Sequence, residues 1–298
     1  MNRARRSFLL LSLFVLFWLL LPGEVAAEEA ARKPARRIVS LAPSVTETLF
    51  ALGAGEQLVG ICSFCDFPQG VERIARMGAY ATPNVEAIIA ATPDLVIGVP
   101  PNNPEAIAAL GRVGLKVIVV HVDTIAQIEA AIRTIAREAG REVQGEQLLA
   151  AMQARMAAIQ ARIADAPLRR VLMVVGQNPL IAVGSNIYLH ELITRAQGIN
   201  IAAATGQMWP QLSLEFAVAN QPEVIIDGSM GSEEQAPDQR FGIWKNFPAL
   251  PAVRDGRLYG GRSYTLLRPG PRLPEAFEDI ARFIHPERFP ESQVAPAP

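Results

Sequence analysis

The sequence predicts an α/β protein of two lobes, each built on a parallel sheet, joined by a single long helix. Three observations carry that prediction. Short β-rich apolar runs alternate with helical patterns, and such alternation is what a parallel sheet covered by helices requires. The alternation stops once, from Thr124 to about Ala164, where the pattern is helical throughout. Finally, a short motif recurs on either side of that interruption. Glu86, in Asn84-Val85-Glu86, stands seven residues ahead of Pro93-Asp94-Leu95-Val96-Ile97, and Glu215, in Ser213-Leu214-Glu215, stands seven ahead of Pro222-Glu223-Val224-Ile225-Ile226. Each copy reads as a cap residue, a short helix, a turn with Pro and a buried strand.

Residues 1–27 read as an export signal: Arg3, Arg5 and Arg6 form a basic start, an apolar run extends from Phe8 to Leu21, and Val25-Ala26-Ala27 supplies small residues for cleavage after about Ala27. The run would span about 21 Å as a helix, short of the ~30 Å of a bilayer core. The first lobe is expected over 36–140, with strands at Ile38–Leu41, Leu58–Ile61, Leu95–Gly98 and Lys116–Val120 and helices at Ser44–Leu52 and Val85–Ala91. Ser44-Val45-Thr46-Glu47 has the spacing of a capping box at the start of the first helix. Leu148, Met152, Met156, Ile159 and Ile163 recur every three or four residues, one face of a linking helix over 141–166 that ends at Asp165-Ala166-Pro167. The second lobe follows over 167–289, with strands at Arg170–Val175, Val224–Asp227 and Arg257–Tyr259 and a helix at Leu273–Ile284; 290–298 reads as a flexible tail.

Composition narrows the function. A net charge of −1 over 298 residues argues against nucleic-acid binding, which needs a basic excess to neutralise phosphates. A charged fraction of 19% and a mean hydropathy of +0.20 argue against disorder. Without the signal, 25 basic and 28 acidic side chains remain, and no second apolar run is long enough to span a membrane, so a soluble exported chain is expected.

Three constellations stand out. Glu86 and Glu215 occupy matching first-turn positions; they are either carboxylates complementing their helix dipoles or a pair of acidic knobs offered to one basic partner. Many aromatics fall in predicted loops or strand ends, among them Phe64, Tyr80, Trp209 and Tyr264, and loop aromatics beside Gly and Pro suit either ordinary packing or a concave site for a large, partly apolar ligand. Cys62 and Cys65 form a CxxC that reads as a structural disulfide, a redox pair or half a metal site. With no second Cys pair and with His121, His190 and His285 widely scattered, a metal site is not expected. No nucleophile elbow or phosphate loop is present, and Asp123, Asp227 and Glu47 form no acid–base couple recognisable from sequence. Nothing argues for an enzyme.

Arg37-Ile38-Val39-Ser40-Leu41-Ala42-Pro43-Ser44-Val45-Thr46-Glu47, followed by Leu52-Gly53-Ala54-Gly55, resembles the opening of periplasmic binding proteins that serve metal-chelate ABC importers. Cys65-Asp66-Phe67-Pro68, the stretch from Asn84 to Ile97, Gly198-Ile199-Asn200-Ile201 and Trp209-Pro210-Gln211-Leu212-Ser213 continue the resemblance, which spans roughly Arg37 to His285. Within that superfamily the sequence is most similar to cobalamin-binding proteins.

The resemblance implies a class III fold, two lobes bridged by one helix, with the ligand clasped in the interlobe cleft and no resident cofactor. By position it implies that Ser44, Phe64, Tyr80, Trp209, Tyr264 and Arg268 line that cleft, and that Glu86 and Glu215 dock onto the permease subunits of an ABC importer. It implies a monomer in the periplasm. Val99 stands where cobalamin binders carry Trp, and Tyr264 where they carry an acidic residue, so another corrinoid, an incomplete precursor or another chelate also fits. Haem and siderophore binders share the fold; a haem site calls for an axial Tyr or His, and siderophore sites often use several cations, here Arg268 with Arg262 or Arg272. A single helical strut implies only modest lobe movement on binding. An exported CxxC thiol–disulfide oxidoreductase and a purely structural adaptor are the readings from other classes.

Overall fold

Val39, Val96 and Ile97 are wholly buried, and the strands that carry them form the middle of the first sheet. The structure, a computed structural model, describes residues 33–229, 241–260 and 262–290. The chain divides into two units, Met1–Pro34 and Ala35–Pro298, and both lobes belong to the second. The expected signal, 1–27, and all but Pro290 of the expected tail lie outside the described residues. Among the described residues no helix is long and apolar enough to cross a membrane.

In the first lobe β1 (Ile38–Ser40), β2 (Leu58–Ile61), β3 (Leu95–Gly98) and β4 (Val117–Val119) are all parallel, in the order β2-β1-β3-β4. The two central strands are buried at every position, as strands covered on both faces must be. In the second lobe β5 (Arg169–Gln177) is central. One of its edges pairs in parallel with β8 (Val224–Asp227), which pairs with β9 (Leu258–Gly260). The other edge takes β7 (Gly198–Asn200) in parallel near its start and β6 (Leu180–Ala182) antiparallel near its end. With the β6 hairpin set aside, the order β7-β5-β8-β9 repeats that of the first lobe. The internal repeat seen in the sequence is therefore a repeat of topology.

Helices α1 (Pro43–Ala51), α2 (Val85–Ala90), α3 (Pro104–Arg112), α4 (Ile125–Ala139) and α5 (Glu142–Arg162) cover and leave the first sheet. In the second lobe come α6 (Tyr188–Arg195), α7 (Leu214–Asn220), the one-turn helices α8 (Gly242–Lys245), α9 (Pro251–Arg254) and α10 (Ser263–Leu266), and α11 (Leu273–Ile284). Asn84 caps α2 by accepting from the Ala87 N–H at 2.9 Å, and Ser213 caps α7 by accepting from Phe216 at 3.2 Å, so both halves of the repeat use the same device.

The capping box expected at Ser44 does not form. The cap position is Ala42, with no side-chain hydrogen bond, and Pro43 opens α1, where its missing N–H costs nothing. Ser44, the second residue of α1, and Glu47, about one turn in, are both buried, and the Glu47 carboxylate has other partners. A true capping box closes the start of α4 instead, between Thr124 and Gln127. Gly140, at φ 66°, then breaks the helical stretch in two.

The second piece, α5, has 21 residues and is about 30 Å long. It buries Leu149, Met152, Met156 and Ile159, the face expected from the spacing except that Leu149 replaces Leu148 at its start. Leu148, partly buried, touches the apolar clusters of both lobes, while the residues from Leu149 onward join the cluster around α11 and β5.

Candidate functional site

Parallel sheets leave their functional loops at the carboxyl ends of the strands, where side chains escape the covering helices. Both sheets of this protein send those ends to one cavity of about 640 Å³. Pro101 beyond β3, Val122 and Asp123 beyond β4, the last residues of β5 and Ser229 beyond β8 all line it. That volume lies within the range of pockets that enclose bulky organic ligands. Tyr80 enters from the first lobe, and Tyr188, Trp209, Leu267 and Pro269 enter from the second.

Tyr80 sits on a tight turn that begins at Gly78, at φ 92°, where a Cβ would lie 2.6 Å from the Asn84 nitrogen. The buried Asn102 side chain pins this turn, donating to the Tyr80 carbonyl at 2.6 Å and to the Leu41 carbonyl at 3.0 Å, while its own Oδ1 accepts from Val99 at 2.8 Å. Trp209, 40% exposed, is held by its neighbours' backbone. Gly184 donates to the Met208 carbonyl at 2.9 Å and Ala182 to the Pro210 carbonyl at 3.0 Å, and only a glycine at 184 lets the Gln207 carbonyl come so near.

Asp123 is the one charged side chain among the described residues lining the cavity. Its carbonyl accepts from the Tyr188 N–H at 2.6 Å, a bond that joins the lobes at the cavity wall, and the Tyr188 hydroxyl donates to the Leu266 carbonyl at 2.6 Å within the second lobe. Burial, with the Asp123 charge beside it, pushes the Tyr80 phenol up to about 12. Burial likewise raises the Tyr188 phenol. Both tyrosines are therefore neutral hydrogen-bonding groups at physiological pH.

Of the six expected cleft residues, the cavity brings together Tyr80 and Trp209. The other four gather beside it at the seam between the lobes. Ser44, buried, borders a small void of about 10 Å³ with Pro269. Phe64 is 58% and Tyr264 45% exposed. Arg268 is buried and faces carboxylates rather than the cavity: it bonds Asp66 through both terminal nitrogens and lies 3.2 Å from Glu47. Arg272 bonds the two Glu47 oxygens at 2.8 Å each, and Arg262 bonds Asp279 at 2.9 Å. Burial opposes ionisation of Asp66, but Arg268 beside it holds the carboxyl below its usual range. All three arginines named as candidate ligand cations are thus paired with carboxylates.

Cys62 and Cys65 are joined in a disulfide, each 1% exposed, and loop continues past Cys65 rather than helix. Neither sulfur is presented to an outside thiol, so the geometry is that of a structural staple. Glu86 and Glu215 are exposed, each in the first turn of its helix. The Ser213 hydroxyl and the Glu215 backbone N–H hold the Glu215 carboxyl below its ordinary range. No group of three His, Cys, Asp or Glu side chains placed to hold a metal occurs among the described residues.

Sequence reasoning did not assign Asp123, Tyr188 or Asn102 to the site. Pro100-Pro101-Asn102-Asn103 is a turn signal directly after a buried strand, which was the available clue for Asn102.

Comparison with known proteins agrees with this architecture. Residues 38–265 match the family described as periplasmic binding protein. A vitamin B12-binding protein of Salmonella typhimurium is 31% identical over 222 residues, 74% of this chain and 83% of its own length. The solved periplasmic vitamin B12 binding protein BtuF of Vibrio cholerae is 26% identical with a TM-score of 0.72, over 84% of this chain and 97% of that one. The solved periplasmic heme-binding protein RhuT from Roseiflexus sp. RS-1, in apo form, is 29% identical with a TM-score of 0.76, over 85% of this chain and 99% of that one. The matched residues run from the first strand of one sheet past the last strand of the other, and the chain belongs to the periplasmic binding protein family.

Proposed function

We propose that this protein captures a corrinoid, cobalamin or a close relative, in the interlobe cavity and delivers it to the permease subunits of an ABC importer. The observation that carries the choice of ligand is the charge of the cavity. Its described lining holds one ionisable carboxylate, Asp123, and no cation, because the nearby arginines are paired with Glu47, Asp66 and Asp279. A corrin ring is edged with neutral carboxamides, whose N–H groups suit an acceptor such as Asp123 and whose methyl groups suit Tyr80, Trp209 and Leu267. Haem carries two carboxylates and ferric siderophores are often anionic; burying either beside Asp123 without a cation is unfavourable. The names of the vitamin B12-binding relatives support the same choice.

Haem remains the second reading, supported by the heme-binding neighbour and by a phenol, Tyr80, inside the cavity. A phenolate ligand to ferric iron, however, would have to form on a group that burial and Asp123 hold in its protonated state.

The corrinoid is cargo, and the proposed role contains no chemical step. Glu86 and Glu215, one exposed carboxylate per lobe, are the proposed contacts with basic groups of the permease. The proposed site of action is the periplasm, reached through cleavage after about Ala27, as a soluble monomer.

Titrating the chain that begins after Ala27 with cobalamin, cobinamide and haemin, each followed by its visible absorbance, tests the reading. Saturable binding of a corrinoid at least about tenfold tighter than haemin is expected, a gap of about 1.4 kcal/mol. Tight haemin binding with none of either corrinoid would contradict it.

A further inference from the structure

Arg268 and Arg272 belong to the second lobe and Glu47 and Asp66 to the first, so the four side chains bridge the seam between the lobes. Two cations face two carboxylates, and three of the four are nearly inaccessible: Glu47 at 1%, Arg268 at 9% and Arg272 at 14% side-chain exposure. Arg272 grips Glu47 through Nε and Nη2 in a planar fork, at 2.8 Å on each oxygen. Arg268 reaches Glu47 through Nη1, Asp66 through both terminal nitrogens and the Phe64 carbonyl through Nη2 at 3.3 Å. The two guanidinium groups also stack on aromatic rings, Arg272 on Phe67 at 4.3 Å and Arg268 on Tyr264 at 5.1 Å.

This cluster is connected to the cavity on both sides. In the second lobe, Leu267 and Pro269, the two neighbours of Arg268, line the cavity. In the first lobe Asp66 follows the Cys62–Cys65 staple. Arg76 donates to the carbonyls of Cys62 at 3.1 Å and Cys65 at 2.5 Å, and the Thr46 hydroxyl lies 3.2 Å from the Cys65 sulfur. The Ser63 N–H then donates to the Gly78 carbonyl at 2.8 Å, and Gly78 begins the turn that carries Tyr80. A short, covalently stiffened path thus runs from the ion cluster to the Tyr80 side of the cavity.

We infer that Glu47, Asp66, Arg268 and Arg272 are positioning residues that clasp the lobes, set the distance between Tyr80 and the Leu267–Pro269 wall, and must part before cargo leaves. A balanced set of ion pairs centred on the buried Glu47 resists partial opening, because drawing the arginines away leaves a buried carboxylate without its partners. The clasp itself needs no cargo; its effect on cargo release rests on the corrinoid reading.

The test uses the chain that begins after Ala27, with Glu47→Gln, which keeps the shape and removes the charge. Amide hydrogen exchange of the ligand-free protein should rise about tenfold or more at 62–66 and 78–80, with the amides of β5 and β8 unchanged. Dissociation of cobinamide, followed by stopped-flow absorbance, should quicken by about tenfold, with little change in its association rate. Should Glu47→Gln fail to fold, Asp66→Asn, at the half-exposed end of the cluster, gives the same two readouts with the same expected direction. Unchanged exchange at 62–66 and 78–80 in a folded variant would overturn the clasp, as would a uniform rise across both sheets, which marks general destabilisation. If wild-type protein binds no cobinamide, the corrinoid reading fails while the exchange readout still judges the clasp.

Discussion

Arg268, Arg272 and Arg262 each meet a carboxylate before they meet a ligand, and this leaves Asp123 to set the sign of the cavity. A second consequence of burial at single residues falls on His285, at the end of α11, which is wholly buried with Nε2 3.0 Å from the Ala196 carbonyl. Burial, reinforced by the nearby Arg169 charge, lowers its pKa below the ordinary 6.5. Between that lowered value and 6.5 the unfolded chain binds more protons than the folded one. The contribution of neutral His285 to stability is therefore complete above about pH 6.5 and is lost as pH falls through the folded-state value. The thermal midpoint should drop between pH 7.5 and 5.5, and His285→Gln, which retains a donor but does not titrate, should flatten that drop. Calorimetry at the two pH values checks it; an equal drop in the variant would move the cause to another group.

At the scale of elements, the close crossing of α4 and α5 rests on Gly145. Alanine favours a helix over glycine by about 0.5–1 kcal/mol, so Gly145→Ala would stabilise an isolated α5. Here a Cβ at 145 would lie 2.6 Å from the Ala136 Cβ on α4, a contact with no flexible side chain to yield. Gly145→Ala is expected to lower stability by about 1–3 kcal/mol, read as a shifted denaturant midpoint at unchanged slope. The same elements show what was legible in the sequence. Strands β1, β3 and β8 each open on two or three consecutive large apolar residues, and α5 buries Leu149, Met152, Met156 and Ile159 along one face, so the apolar pattern located them. Strands β6 and β7 were missed for separate reasons: β7, Gly198-Ile199-Asn200, carries a single large apolar residue, and β6 folds straight back on β5 with no helix between them to mark it off. The Ser44-to-Glu47 spacing misled because Pro43 starts the helix before Ser44 can cap it and Glu47 is drawn to arginines more than 200 positions away, a pairing no local pattern encodes. Tyr80 and Trp209 were legible as loop aromatics beside Gly and Pro. Asp123 and Tyr188 were not, because a lone carboxylate after a strand and a tyrosine at a helix start are ordinary features until the two lobes meet around them.

The whole molecule repeats one strand order twice and joins the copies through α5, so each lobe presents equivalent parts. The carboxyl ends of both sheets meet at the cavity, and the helices that precede β3 and β8 carry Glu86 and Glu215. The repeat predicts that the two carboxylates act together: Glu86→Ala with Glu215→Ala should leave corrinoid affinity within about twofold yet abolish uptake in a transport assay, since rim charges govern docking rather than capture. Loss of ligand affinity in that double variant would place the two glutamates in the wrong role. In the proposed complex an amide-edged macrocycle lies between Tyr80 and Trp209 with Asp123 as its acceptor. The most direct measurement is the position of cobinamide in a crystal structure of the complex. The corrin ring is expected in the interlobe cavity, against both aromatic rings, with a side-chain carboxamide within hydrogen-bond distance of Asp123. A corrin ring bound elsewhere on the surface, or a carboxylate of haem seated where that carboxamide should be, would contradict it.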